Sequence, residues 1–368
     1  MPVTIDAPTR RSSLEQFLRF HDTVYAERAA FWPENVDMVL PTLLGRSPFA
    51  RDRQLQAFVA LDGPRIVARV LGVVDERYRA HWDERLGHLA MFEALPGTGE
   101  ATRLLLETAC AWLAEHGADA ARMGFLPGFD MPFAIDAHDV LPPSILRQNP
   151  SYYHVLIKNA GFEVEQGFVD YKLQVTPELG RRWASDVAAA RAAGYRLVPV
   201  RDVSRRRRGR ELASLWSDTF AAHWGFSPFT EEELSLLFEL GAPVGVLDVS
   251  VIAYADDRPV GFVFVTPADG SPAALAPLRR LRDDERLNTL AIGVRREARG
   301  RGLNRALAGW AFGELARRGA THLSYTLVLD DNWPSRRTAE ALGAHVCASY
   351  LAYRRGLGIP GGNGAAVP

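Results

Sequence analysis

Between Leu287 and Ala320 the chain reads LNTLAIGVRREARGRGLNRALAGWAFGELARRGA, and here the residue types and spacing best support chemistry. An apolar strand is expected to end at Val294. A basic, glycine-containing loop follows, Arg295 to Gly302. A helix then starts at Leu303, with Leu303, Ala306, Leu307, Trp310, Ala311 and Leu315 on its buried face. Glycines let a backbone approach an anion closely, and the first N–H groups of a helix have no partner within it. Arg299 and Arg301 bring positive charge to the same place. Strand, glycine loop and helix start are together what a pyrophosphate needs. The plainer alternative is a tight strand-to-helix turn with a solvated basic edge.

Other candidates are sparser. His223 and Trp224 end a helix expected over Arg206–His223; the histidine could orient or deprotonate an amine, or cap the helix while Trp224 packs. Asp283, Asp284 and Glu285, just before the Leu287–Val294 strand, offer either a base or a solvated turn. The run Arg205-Arg206-Arg207-Arg208-Gly209-Arg210 reads as a solvated helix face, because no aromatic residues interleave it. Cys110 and Cys347 form no CxxC pair and read as small buried hydrophobes, so neither a disulfide nor a metal is expected.

The elements that must position these groups come in two similar sets. A single core stops growing at ~250–300 residues, so 368 residues predict two domains. In the first set a helix over Ser13–Phe31 precedes strands at Leu55–Asp62, Arg65–Asp75 and Gly87–Leu95. A helix follows over Thr98–Gly117, then a strand at Ala120–Phe125, a Pro-bearing loop, a helix at Tyr152–Ala160 and a strand at Phe162–Gln174. The stretch 179–194 is weakly patterned and reads as a junction. The second set repeats the order. It runs through a strand at Arg196–Pro199, helices to Glu239, strands at Leu247–Tyr254, Pro259–Thr266 and Leu287–Val294, and the helix from Leu303. It closes with a strand at Thr321–Leu329, a helix at Pro334–Leu342 and a strand at His345–Tyr353. Asn149-Pro150 before a helix ending at Gly161 answers Asn332-Trp333-Pro334 before a helix ending at Gly343. The expected divisions are 1–178, 179–194, 195–357 and a Gly/Pro-rich disordered tail over 358–368.

A formal net charge of -1 provides no field toward nucleic acid or membrane. No apolar run approaches the ~20 residues of a membrane span, and the polar amino terminus carries no signal-peptide core, so a cytoplasmic protein is expected.

Arg299-Gly300-Arg301-Gly302-Leu303-Asn304 resembles the pyrophosphate loop of GNAT acyltransferases, Arg or Gln, two residues, Gly, one residue, Gly or Ala, with Asn304 departing at the last position. Asn332, in Asp330-Asp331-Asn332-Trp333-Pro334-Ser335, matches the family's asparagine that contacts the pantetheine arm. Ala341-Leu342-Gly343-Ala344 matches the end of the following helix. His223-Trp224-Gly225-Phe226-Ser227-Pro228-Phe229-Thr230, with Asn149-Pro150-Ser151-Tyr152-Tyr153, resembles a bacterial group of tandem GNAT-like proteins. The resemblance implies an α+β fold of two GNAT-like domains, each a mixed, mostly antiparallel sheet flanked by helices.

It further implies an acyl-CoA co-substrate, by default acetyl-CoA, held by Ile292, Gly293, Val294, Arg299, Gly300, Arg301, Gly302, Leu303, Asn304 and Asn332. A backbone N–H near Gly293 or Val294 would polarise the thioester carbonyl, and a small amine bordered by His223 and Trp224 would attack. The family's acid tyrosine falls on Ala339, leaving Tyr325, Tyr350 or Tyr353 as substitutes, with Tyr325 the first choice. The first domain has Leu95-Pro96-Gly97-Thr98-Gly99-Glu100 where a phosphate loop belongs, and reads as having lost cofactor binding. Two alternatives remain: an aminoacyl-tRNA donor, with the arginine run on RNA, and an acyl-CoA-binding protein without turnover.

Overall fold

The computed structural model describes residues 2–267 and 279–358. The expected tail over 358–368 lies, apart from Gly358, outside the described residues.

The first half begins with β1 (Thr4–Asp6), α1 (Arg11–Tyr25), α2 (Val36–Leu43), β2 (Arg53–Asp62), β3 (Arg65–Asp75), α3 (Glu76–Trp82) and β4 (Leu86–Ala94). It continues with α4 (Gly99–Glu115), β5 (Ala120–Met123), β6 (Phe133–Ala134), α5 (Tyr153–Asn159) and β7 (Glu163–Gln174). Then come α6 (Pro177–Ala192), β8 (Tyr195–Pro199), α7 (Arg205–Phe220), α8 (Glu231–Gly241), α9 (Val246–Val249), β9 (Val251–Ala255) and β10 (Arg258–Thr266). The second half ends with β11 (Thr289–Val294), α10 (Leu303–Arg317), β12 (His322–Leu329), α11 (Trp333–Ala341) and β13 (His345–Gly356).

Three helices escape the sequence reading. α2 holds a proline and α3 is a seven-residue turn between strands, so neither shows a periodic face. The third is α6, where a weakly patterned junction was expected. Thr176 caps it, Pro177 opens it, and its alanines favour helix. Only Trp183 and Ala190 are buried along it, too few to show a period. Trp183 packs directly on the backbone of Gly309 in α10 and on Phe312, ring centroids 5.5 Å apart. At α9 an apolar run expected as strand begins as one helical turn, after Gly245 in the left-handed region.

The sheet joins the halves. Its order is β1-β2-β3-β4-β5-β13-β7-β12, while β11-β10-β9-β8 form a second, four-stranded sheet. β4 and β5 pair in parallel, and the other pairings are antiparallel. The last strand of each half is thus exchanged. β13 lies between β5 and β7, and β7 lies between β13 and β12. Within β5-β13-β7-β12 the halves are interchangeable, as a two-fold relation requires. The cores follow the same plan. One lies under α4 and α5 and includes Tyr353 from the second half; the other lies under α6 and α10 and includes Tyr171 and Leu173 from the first.

A buried ion network also spans the halves. Arg53 on β2 donates to Asp75 (2.8 Å) and to Glu233 on α8 (2.6 Å), and Arg77 adds two bonds to Glu233. Ser227 donates to Asp75 at 2.9 Å. Among the described residues no helix is long and apolar enough to cross a membrane, and no cluster of His, Cys, Asp and Glu could hold a metal ion.

Candidate active site

Chain stiffness and helix electrostatics build the loop before α10. Gly300 and Gly302 take φ of 76° and 77°, a region that side-chain-bearing residues enter at a cost. A Cβ added at Gly300 would meet nothing within 4 Å, and one at Gly302 only the tip of Arg305. The glycines therefore serve the turn and leave its outer side open. Gly302 caps α10 with no side-chain hydrogen bond, and the first turn holds no acidic residue. Its amides and the positive end of the helix dipole face outward, a site for an anion. Buried Leu303 anchors this end while Arg301 stands exposed beside it. Arg299 behaves differently from the expectation of a free charge. Its Nε donates to the Val294 carbonyl at 3.0 Å and Nη2 to that of Thr219 at 3.4 Å. It closes the loop onto β11 and α7.

Beside this loop the sheet is split. β11 and β12 touch but belong to different sheets, so a wedge opens between them. The Arg295 amide donates to the Val260 carbonyl at 2.8 Å, and β10 pairs Gly261 with Val294 and Phe262 with Gly293 without a shift. Antiparallel strands alternate the direction of their amides. Gly293 is therefore turned to β10, and Ile292 and Val294 toward β12. Gly293 is small for another reason: a Cβ there would lie 2.5 Å from Thr219 Oγ1 on α7.

Across the wedge, Tyr325 is 3% exposed and its hydroxyl lies 3.1 Å from Ser335 Oγ, with Asn304 near enough to act on it. Burial raises its pKa, against the pull of those two partners. Asn332 caps α11, its side-chain oxygen accepting from the Ser335 amide at 3.2 Å, so its NH2 group is what remains to offer a ligand. The structure thus gathers Ile292, Val294, Gly300, Gly302, Leu303, Asn304, Tyr325 and Asn332 around one wedge and one helix start. It adds Ser335, which sequence reasoning missed because a lone serine at a helix start signals only a turn.

Other candidates fall elsewhere. Tyr350 and Tyr353 on β13 are buried on either side of the exchanged sheet, Tyr353 hydrogen-bonded to His154, and neither can stand in for an acid at Ala339. Ala339 is itself fully buried. Trp224 packs between Phe125 and Phe168 with the Arg122 guanidinium 4.3 Å above it, which makes it a contact between halves. His223 is half-buried beside Phe220, and its ring bonds the Trp224 carbonyl at 3.3 Å. Burial lowers its pKa more than that carbonyl and Asp331 raise it, so the ring is neutral near pH 7. Asp284 and Glu285 are ion-paired with Arg282, and Glu285 also with Arg279. In the arginine run, Arg205 pairs with Glu239, Arg207 with Glu211, and Arg208 holds three backbone carbonyls.

The first half shows the same site closed. The Leu95 amide donates to the Val67 carbonyl at 2.9 Å, as Arg295 does to Val260, so Ala94 corresponds to Val294. The Ala94 amide is taken by the Tyr153 hydroxyl at 2.9 Å, and that hydroxyl donates to Glu93 at 2.6 Å. Phe92, Phe133 and Tyr153 fill the space beside β4, with Arg147 over Phe133 and bonded to the Phe92 carbonyl. The loop between β5 and α5 helps to fill it, bringing Phe133 against Phe92 and Tyr153. Gly161 and Gly343 end α5 and α11; eight residues before each stand Tyr153 and Ser335. A serine replaces the plug in the second half.

Residues 210–344 match the acetyltransferase (GNAT) family. The carboxy-terminal half is therefore a GNAT-type acetyltransferase domain, within a chain that carries the fold in tandem. Protein YghO of Escherichia coli (strain K12) is 22% identical over 262 residues, 70% of this chain and 66% of that protein, just under two thirds of its length. Among solved structures, the glucosamine N-acetyltransferase region of a fungal multi-domain GH3 β-N-acetylglucosaminidase superposes with a TM-score of 0.59 at 18% identity. That match covers 96% of this chain and 38% of the other. A tandem GNAT protein from the clavulanic acid biosynthesis pathway gives 0.58 at 14% identity, covering 98% of this chain and 100% of the other. At such identities the likeness is one of fold.

Proposed function

We propose that the second half binds acyl-CoA, with acetyl-CoA the default donor, and transfers the acyl group directly to a small amine in the cytoplasm. The observation that carries this reading is the Val294 amide, turned into an open wedge while its counterpart at Ala94 is plugged. The thioester supplies an activated carbonyl and a stable leaving group. The uncapped start of α10, with Gly300, Gly302 and Arg301, holds the pyrophosphate. Asn332 orients the pantetheine arm, and Val294 N–H donates to the carbonyl oxygen as negative charge gathers there. Such a preorganised donor is worth roughly 10²–10³ in rate. Tyr325, tied to Ser335, holds a proton at neutral pH and is the candidate acid in place of Ala339. The amine enters from the α7 face, near His223 and Trp224. Glucosamine, the acceptor named for one structural neighbour, is a first probe.

The buried alanine at 339 favours a second reading, acyl-CoA binding without turnover. An aminoacyl-tRNA donor draws less support, because much of the arginine run is paired within the chain. Thermal unfolding with excess acetyl-CoA tests the donor. At ~100 times the dissociation constant the wild type should gain about 2.7 kcal/mol, and Gly302→Glu should gain none. No gain in the wild type rejects acetyl-CoA; a gain with no amine acetylated supports the second reading.

A further inference from the structure

The first half lends β7 to the second, and with it a carboxyl group. Asp170 on β7 is 1% exposed. Its Oδ1 accepts from Ser324 Oγ on β12 at 3.0 Å, and Ser324 Oγ lies 3.0 Å from Thr326 Oγ1. A serine hydroxyl has one proton to give, and Ser324 gives it to Asp170, so Thr326 must donate to Ser324. The three groups form a directed row along β12. Leu323, Tyr325 and Val328 on this strand face the core under α10. Ser324 and Thr326 alternate with them and face the opposite side, that of Phe168, Cys347 and Tyr350. Ser324 is fully buried and Thr326 half-buried, so the row runs from the sheet interior outward. Its outer end meets the irregularity between Tyr325 and Val328, where Leu327 takes φ of 49°.

The surroundings of Asp170 do not make it a structural ion pair. Lys172, on the same face of β7, donates to the Asp284 carbonyl at 2.6 Å, and Asp284 supplies its nearest carboxylate at 4.0 Å. From β13 the neighbours are Cys347, whose sulfur is 3.8 Å from Oδ2, and Tyr350; Asp136 acts on both from beyond. The Cys347 thiol is pushed up to about 12 by burial, and the Tyr350 hydroxyl is raised as well, so both stay protonated. Burial lifts the Asp170 carboxyl to about 7, against hydrogen bonds from Ser324 and Cys347 and the charge of Lys172. A base poised near the working pH is what general-base catalysis favours.

We propose that Asp170, Ser324 and Thr326 form the relay that takes the proton from the acceptor amine. This rests on the acyl-transfer reading above. Thr326 takes a proton from the bound ammonium while passing its own to Ser324, and Ser324 passes its own to the Asp170 carboxylate. The amine is left neutral and Asp170 protonated. The amine nitrogen then bonds to the acyl carbon, the carbon–sulfur bond breaks with its electron pair on sulfur, and the nitrogen's surplus proton passes to that sulfur, leaving the amide and the free thiol. Asp170 returns its proton along the same row to solvent before the next turnover. Thr326 is the catalytic residue; Ser324 and Asp170 act through it. The plugged half thereby contributes the base for the open one.

The test follows thiol release from acetyl-CoA between pH 5.5 and 9.5, in the full chain and in Thr326→Val, Ser324→Ala and Asp170→Asn. Tyramine, butylamine and water serve in turn as acceptor, with acetyl-CoA-induced thermal stabilisation measured alongside. The wild type should rise through an inflection near pH 7. The variants should lose that inflection and fall by about 10²-fold or more at neutral pH, recover toward high pH where the amine ionises unaided, and keep the acetyl-CoA shift. Thr326→Val is nearly isosteric and keeps the test open if Asp170→Asn fails to fold. A wild-type inflection retained in Thr326→Val and Ser324→Ala overturns the relay. So does a wild type that binds acetyl-CoA and releases no thiol at any pH. Absence of acetyl-CoA binding sinks the acyl-transfer reading itself, and the relay with it.

Discussion

Replacing Val294 with proline removes one amide proton and, because that amide points away from β10, no rung of the ladder. The expected result is a fall in kcat of roughly 10²–10³ with the acetyl-CoA dissociation constant nearly unchanged, read by steady-state kinetics beside calorimetry. An equal loss of binding would mean that the amide holds the ground state and not the developing charge. Arg299 and Arg301 separate in a similar way. Arg299 carries loop geometry through the Val294 carbonyl, whereas Arg301 is exposed beside the helix start. Arg301→Ala should therefore weaken acetyl-CoA binding in a salt-dependent manner and leave unfolding in denaturant unchanged.

Two buried carboxyl groups of the first half, on β4 and β7, are shifted in opposite directions. Glu93, ending β4, is buried, which alone would raise it. The His21 hydrogen bond and charge, with Arg147 and Arg69, outweigh that and hold it at about 2. A carboxyl depressed on folding contributes stability above its unfolded pKa, and that contribution is lost as pH falls toward 2. Asp170, raised to about 7, does the reverse: the folded state binds the extra proton, so stability falls as pH rises from about 4 toward 7. Asp170→Asn should flatten the neutral limb of a pH–stability curve and leave its acid limb in place, as measured by urea unfolding. Tyr153→Phe should cost about 1–3 kcal/mol in the same assay, because the Ala94 amide and Glu93 both lose a buried partner. A phenyl ring still fills the wedge beside β4, so no acetyl-CoA binding should appear there.

At the scale of the molecule the halves cannot part. Separating them takes β13 from β5 and β7 from β12, and strips Glu233 of its buried partners Arg53 and Arg77. Exposed strand edges and unpaired buried charge are both severe faults. Residues 1–175 and 194–358 expressed apart should be insoluble or unfolded by circular dichroism, and together should assemble. The intact chain should unfold in one transition. Two separate transitions, or a soluble first half, would contradict the exchange.

Much of this was legible in the amino-acid order. The strand–loop–helix from Thr289 to Arg317, its glycines, Asn332, and the repeated order of elements all leave local signals: periodicity, turn residues and spacing. The chain itself determined the glycine turn and uncapped helix start at which a phosphate is proposed to sit. Which amide stays open was decided only by tertiary structure, since Ala94 and Val294 differ in what a helix sixty or forty residues later brings against them. The same holds for Asp170 and Ser324, 154 residues apart, and for β7 and β13, whose alternating patterns suit either half's sheet. Period and propensity fix a strand's faces, but its neighbours are chosen by packing over the whole molecule.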